Sequence, residues 1–442
     1  MVRPVEQELE KIQNQSLYKY ARIYKDIEKE THNHIEEFGL PFERRPDQSE
    51  RDQQLNNLKD CGATFRNNCK SVVSNGKIST ACEACQTGVG SYTNFVSLKC
   101  HRDCYFCFNK NQDNYQFYHE NQRNAVEELD QLFNSEISVT HLALTGGEPL
   151  LHPLETIEFF RKANVYKPAI HTRLYTAGDL LTENILTELQ LGGLNEIRFS
   201  IKMEDSKQKQ KHILEKIKLA KNFIPDVLVE MPVIPGTEKE MKELLLALED
   251  IGIFGINLLE FCFPLGNTEA FQERGFKLKN PPYDIYYNFW YAGGLAVAES
   301  EKLCLELIQF AIEKKFNMGV HYCSLENKFT GQIYQQNYNQ ILDETYTFSP
   351  VDYYFKTAKV FGKDRKTVRK VLDKKKVSYL ENSDYDFLQF PVESIPFLWK
   401  KEIQVMISSN VIENDEHGRS IREVHLEIVH PTELEKMIRK DD

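Results

Sequence analysis

The chain has 442 residues, a formal charge of −11 and an ordinary apolar content of 41%. That length suits two or three domains with a large core. The acidic balance disfavours a whole-protein nucleic-acid binder, and no apolar run reaches the roughly eighteen residues a membrane helix needs. The N-terminal residues are charged and lack the apolar core of a signal peptide, so the expected location is cytoplasmic. Ten cysteines in such a compartment point to metal ligation before disulfides.

Residues 1–58 are polar, with loose helical spacing over 6–29 from Leu9, Ile12, Leu17, Tyr20 and Ile23; a solvated helical extension is expected. Residues 59–90 form a cysteine-rich segment in which Cys61, Cys69, Cys82 and Cys85 are spaced Cys-x7-Cys-x12-Cys-x2-Cys among Gly, Ser and Asn. Four soft ligands in a loop suit tetrahedral zinc or an auxiliary 4Fe–4S cluster, and the pattern leaves both open.

From residue 91 strand and helix signals alternate. A strand at 92–98 leads into Lys99-Cys100-His101-Arg102-Asp103-Cys104-Tyr105-Phe106-Cys107. A helix follows at 121–133 and a strand at 141–145 that runs into Gly146-Gly147-Glu148-Pro149. Further strands are expected at 171–176, 196–202, 227–234 and 256–262, with helices at 153–163, 180–189, 207–223, 238–248 and 297–315 between and after them. Residues 319–324 are a candidate further strand. Six tandem strand–helix units imply an α/β fold with a parallel sheet, rolled by right-handed crossovers into a partial (β/α)6 TIM-like barrel over 91–325. Its functional residues belong at the C-terminal ends of the strands.

Beyond residue 326 the beat stops. A basic helix over 363–376 carries eight Lys and Arg against two Asp, either a solvated face or a contact for an anionic substrate or leader peptide. Strands at 405–408 and 423–429 suggest a small C-terminal α+β appendix.

Cys100, Cys104 and Cys107 can hold three corners of a cubane cluster that ordinarily takes four cysteines, leaving one iron open. Cys-x2-Cys alone also suits zinc. Glycines in the later turn permit positive φ and close backbone approach to a ligand. Together the triad and the Gly-Gly-Glu-Pro turn make the chain resemble a radical S-adenosylmethionine (SAM) enzyme over about residues 90–325.

The resemblance implies a 4Fe–4S cluster whose open iron chelates SAM, and reductive cleavage of SAM to a 5′-deoxyadenosyl radical that abstracts hydrogen from substrate. It implies cofactor contacts from Phe106, Gly146, Gly147, Glu148, Thr176, Ser200, Lys202, Val233 and Ile234. Glu148 would receive the SAM ammonium, Ser200 the ribose, Lys202 the carboxylate, and Val233 and Ile234 the adenine. It also implies an electron donor such as flavodoxin or ferredoxin.

Cys323 and Tyr322 are candidate hydrogen-atom donors to a product radical, against a plain reading as strand residues of the core. A peptide or protein is the first expectation for the substrate. A glycyl-radical-enzyme activase and a small-molecule or nucleotide enzyme follow, and a non-catalytic iron–sulfur or zinc scaffold is the reading from another class.

Overall fold

A computed structural model of the chain describes residues 3–4, 9–287, 293–416 and 418–432. The chain divides into two units. One comprises Leu40–Tyr283 and Asn288–Gly331; the other gathers Met1–Gly39, Asp284–Tyr287 and Gln332–Asp442.

The first unit is built on one sheet of nine strands among the described residues. They are β1 (Thr64–Arg66), β2 (Ser71–Val73), β3 (Ser91–Phe95), β4 (His141–Thr145), β5 (His171–Thr176), β6 (Glu196–Phe199), β7 (Asp226–Val233), β8 (Gly255–Glu260) and β9 (Gly319–Cys323). Their order is β1-β2-β9-β8-β7-β6-β5-β4-β3. β3 to β9 are parallel throughout. β2 runs antiparallel to β9, and β1 to β2. A short helix α1 (Thr80–Cys85) precedes β3. The crossovers then contain α2 (Ala125–Asn134), α3 (Pro153–Tyr166), α4 (Glu183–Leu191), α5 (Lys207–Ala220), α6 (Glu238–Ile251) and α7 (Ser300–Glu313). The expected strand at 319–324 is thus real and forms a seventh parallel strand.

Strand residues alternate between the two faces. Leu142, Leu144, Leu174, Ile197, Phe199, Val229, Met231, Ile256, Leu258, Val320 and Tyr322 share one core with the crossover helices. The opposite face carries His171, Arg173 and Tyr175 on β5, Glu196 and Arg198 on β6, Glu230 on β7, Asn257 on β8, and His321 and Cys323 on β9. A parallel sheet with apolar residues on one face and buried polar residues on the other is unusual, since such sheets commonly bury both faces in apolar layers.

The second unit holds an antiparallel sheet from Arg3–Pro4, Gly418–Val429, Val405–Asp415, Phe355–Phe361, Phe387–Phe390 and Leu380–Asn382, with Thr347–Phe348 paired to Phe355–Phe361. The helix expected at 6–29 forms at Gln15–Glu36. Asn14 caps it, accepting from the Ser16 and Leu17 amides and donating to the Phe361 carbonyl (2.9 Å). Leu17 and Ala21 pack with Phe361, Phe387, Met406, Leu426 and Ile428. Tyr20 and Tyr24 donate to Glu423. This helix is a structural layer of the unit, not a solvated extension. The basic helix forms at Asp364–Lys375 and buries Val368 and Leu372, while Arg365 and Arg369 pair with Asp386 and Glu381. Part of its charge is therefore spent within the unit.

Candidate active site

The three-cysteine loop follows β3. It is held from both sides by backbone: the Leu98 amide donates to Tyr118, and the Cys107 amide to the Cys104 carbonyl (3.1 Å). The thiols of Cys100, Cys104 and Cys107 are partly exposed. Burial pushes the Cys100 and Cys107 thiols up, partly offset by amides of Arg102 and Asn109. The Arg102 side chain folds back and clamps the loop. It makes a bidentate pair with Asp179 (2.9 and 2.8 Å), beyond β5, and a bond to Asp205 (2.7 Å), beyond β6. His101 also reaches Asp179 (2.8 Å). Burial alone would raise the Asp179 carboxyl, but His101 and Arg102 outweigh it and hold it below its usual value.

The Gly-Gly-Glu-Pro turn lies directly under this loop. The Gly147 amide donates to Ser97 and the Glu148 amide to Lys99 (3.0 and 2.8 Å). A Cβ on Gly147 would stand 1.9 Å from the Lys99 carbonyl oxygen, and one on Gly146, whose φ is +109°, 2.6 Å from Phe95 and Ser97. Both glycines are thus required for the turn to nest there. Glu148 is 2% exposed. Its carboxylate accepts from Thr176 Oγ1 (2.8 Å) and the amides of Ala177 (2.7 Å) and Leu150 (3.1 Å). Burial nonetheless pushes its pKa up. Glu148 and Thr176 are therefore engaged with each other, tying β4 to β5.

Beside the loop opens a cleft of about 250 Å³, lined among others by His101, Cys104, Phe106, Lys202, Asp205 and Ile234. Phe106 packs edge-on against Phe261, with Lys202 Nζ 5.4 Å from its ring centroid. Lys202 donates to Ser200 Oγ (2.8 Å). β6 ends at Phe199, short of the expected 202, so Ser200 and Lys202 belong to the loop after it. Val233 is fully buried in the helix-side core, whereas its neighbour Ile234 reaches the cleft. Tyr322 likewise lies in that core, its hydroxyl buried without a hydrogen-bond partner. Cys323 takes the opposite face and accepts from Asn327 Nδ2 (3.2 Å).

The second cysteine segment is distributed. Cys61 caps the helix Gln48–Asp60 and is exposed. Cys69 sits in the β1–β2 turn. Cys82 and Cys85 lie on α1, which crosses the polar face of the sheet: Ser79, its cap, donates to Glu196 Oε2 (2.5 Å), and Cys82 Sγ accepts from Arg198 and Asn257 (both 3.3 Å). Arg198 also pairs with Glu196 and with Glu230 (2.5 Å). Asn257 joins Glu230 (2.7 Å) and His321 (2.9 Å), and His321 meets Ser71 (2.8 Å). Glu260 caps the helix beginning at Leu325 by accepting from its amide (2.8 Å).

Sequence reasoning missed the Arg102 clamp and this polar network. An Arg two residues past a ligand cysteine carries no periodicity. Glu196, Arg198, Glu230 and Asn257 read as ordinary strand polar residues until the register places them side by side.

Residues 95–248 match the family model described as the radical SAM superfamily. The match spans the cysteine loop, the glycine turn and the strand ends as far as Ile234. Over these residues the chain is similar to the radical SAM superfamily. The chain is 28% identical over 253 residues to a protein of Methanocaldococcus jannaschii provisionally named a glycyl-radical enzyme activating enzyme. The alignment covers 56% of this chain and 63% of that relative, under two thirds of its length. Among solved structures, Streptococcus suis SuiB is 14% identical with a TM-score of 0.41, covering 76% of this chain and 67% of its own. The Escherichia coli radical SAM enzyme coproporphyrinogen III oxidase is 12% identical with a TM-score of 0.35, covering 78% and 64%. Among the described residues no helix of the chain is long and apolar enough to cross a membrane.

Proposed function

We propose that the chain binds a 4Fe–4S cluster on Cys100, Cys104 and Cys107 and cleaves SAM reductively to abstract hydrogen from a polypeptide. The observation that carries this reading is the three-thiol loop seated on the Gly146-Gly147 turn, where no side chain fits. The donor set suits the group: three thiols on one loop, opening beside a cleft with an apolar wall at Phe106 and Ile234 and a cation at Lys202. When bound, the cluster supplies the electron that breaks the sulfonium bond.

The chain's own residues would then divide the work. Lys202 would hold the SAM carboxylate, Ser200, already the acceptor of Lys202, would hold the ribose, and Ile234 would pack the adenine. Glu148 would act as a positioning residue for the ammonium site, because its oxygens hold Thr176, Ala177 and Leu150. The one-sided placement of helices and the buried polar face support a sheet curled as a partial (β/α)6 barrel over 91–325, with the polar face inside. Residues 59–90 then serve as a cysteine-bearing segment, and 326–442 as a C-terminal appendix.

For the substrate, the named role of the M. jannaschii relative supports an activase, in which the hydrogen comes from a glycine Cα of a partner enzyme. Anaerobic reconstitution with dithionite and SAM should yield 5′-deoxyadenosine, and the Cys104→Ala variant should yield none. Equal production by the variant would end the catalytic reading. A doublet glycyl-radical signal on a co-expressed partner would support the activase form, and product without such a signal would favour another peptide or small-molecule substrate.

A further inference from the structure

We propose that the polar face of the sheet holds a second iron–sulfur cluster, ligated by Cys82, Cys85 and Cys323 with Cys69 as fourth ligand, and that Cys61 takes no part. The set differs from the one the spacing suggests, because β9 delivers a cysteine from far along the chain. Cys323 ends β9 on the same face that α1 crosses, and Cys82 on α1 accepts from Asn257, the register partner of His321 two residues before Cys323. Cys69 is brought to the same place by backbone. Ser71 is the register partner of Cys323, and the Ser324 amide donates to Lys70 (3.0 Å). Asn67 Nδ2 binds Asn327 and Thr330 (2.7 and 2.8 Å), the Asn327 that also donates to Cys323. Asn67, Asn68 and Cys69 all have positive φ (47°, 50° and 65°). Three successive non-glycine residues in that region cost energy, and such strain gathers at functional loops.

The surroundings suit an anionic cluster. Arg198 and Asn257 already donate to Cys82 Sγ, and Asn327 to Cys323 Sγ, which is how outer-shell donors tune thiolate ligands. Arg173, on the neighbouring strand of the same face, is 7% exposed, and its Nε has no hydrogen-bond partner. The backbone of α1 is packed closely here: a Cβ on Gly331 would stand 3.0 Å from the Cys85 carbonyl oxygen. Among the described residues no three His, Cys, Asp or Glu side chains converge tightly enough for a single ion, and this includes the Cys100 loop.

The test is metal content of the full chain after anaerobic loading with ferrous iron and sulfide, with zinc alone as a parallel probe. Wild type should retain about eight irons. Cys82→Ser/Cys85→Ser and Cys323→Ser should each retain about four, and the remaining electron paramagnetic signal should still shift on adding SAM. Cys61→Ser should keep about eight. Circular dichroism of each variant guards against misfolding, and Cys69→Ser tests the fourth ligand separately by a changed but not abolished cluster spectrum. An iron content unchanged from wild type in Cys82→Ser/Cys85→Ser or in Cys323→Ser, or retention of one zinc in preference to iron, would each overturn the proposal, whereas wild-type iron of about four that these variants abolish would count against the Cys100-loop cluster and not against this one. None of these outcomes depends on whether SAM is cleaved.

Discussion

Arg102 sits between two cysteines that read as cluster ligands, and its side chain is almost wholly buried against Asp179 and Asp205. Charge-assisted bidentate contacts of this kind are among the stronger hydrogen bonds in proteins, and removing Arg102 would leave Asp179 only His101 and Asp205 only Lys209. Arg102→Ala should therefore loosen the loop without removing a thiol. We predict a roughly tenfold to hundredfold loss in cluster retention or in 5′-deoxyadenosine rate, read by iron titration and chromatography; full retention and rate would show the clamp to be incidental. At this scale the sequence disclosed the thiols and glycines, because their chemistry depends on residue type and spacing. It concealed Arg102, Asp179 and Asp205, whose role exists only once three separate loops meet. It also suggested Glu148 as a direct ligand contact, whereas the carboxylate proves to be occupied by Thr176 and two amides.

Among the elements, the ion cluster at the start of α7 makes a separate contribution to stability. Glu301 binds Arg51 (2.9 Å) and Lys279 (2.7 Å), and Lys279 also binds Glu260 (3.0 Å). Burial would raise the Glu301 carboxyl, but Lys279 and Arg51 outweigh it and bring it down to about 2. A folded value below the unfolded one means that the unfolded chain binds the proton first as pH drops. The stabilisation is thus complete above about pH 4.5 and is lost progressively as pH falls from there. Glu301→Gln should lower the urea midpoint near neutrality and flatten its decline over that acid window. An unchanged acid limb would show that other carboxylates control it. Elements of this kind were largely legible: β4 and β5 fall where alternation and turn residues place them, at 141–145 and 171–176. The helix Gln15–Glu36 was expected over 6–29, but its packed role was not legible, because its buried stripe is thin and its partner strands lie more than three hundred residues away in the sequence.

In the molecule as a whole, the second unit is assembled from both ends of the chain. Its helix Gln15–Glu36 supplies Leu17 and Ala21 to a cluster otherwise made by Phe361, Phe387, Met406, Leu426 and Ile428. Each large side chain so covered contributes about 1.5–3 kcal/mol. Deleting residues 1–39 should expose that face, raising hydrophobic-dye binding and hydrogen exchange in Val405–Asp415 and Gly418–Val429. Iron bound at the Cys100 loop should be unaffected. A peptide spanning 9–39 added in trans should restore protection; normal exchange in the truncated chain would refute the structural role of the helix.

That arrangement sets a timetable for synthesis. The ribosome releases the capped helix early, and the strands that shelter it emerge only after the entire parallel sheet has been made, a delay on the order of tens of seconds. Through that interval Leu17 and Ala21 lack their native partners, so the nascent chain relies on the charged residues flanking them to stay in solution until Phe361, Phe387, Met406, Leu426 and Ile428 arrive.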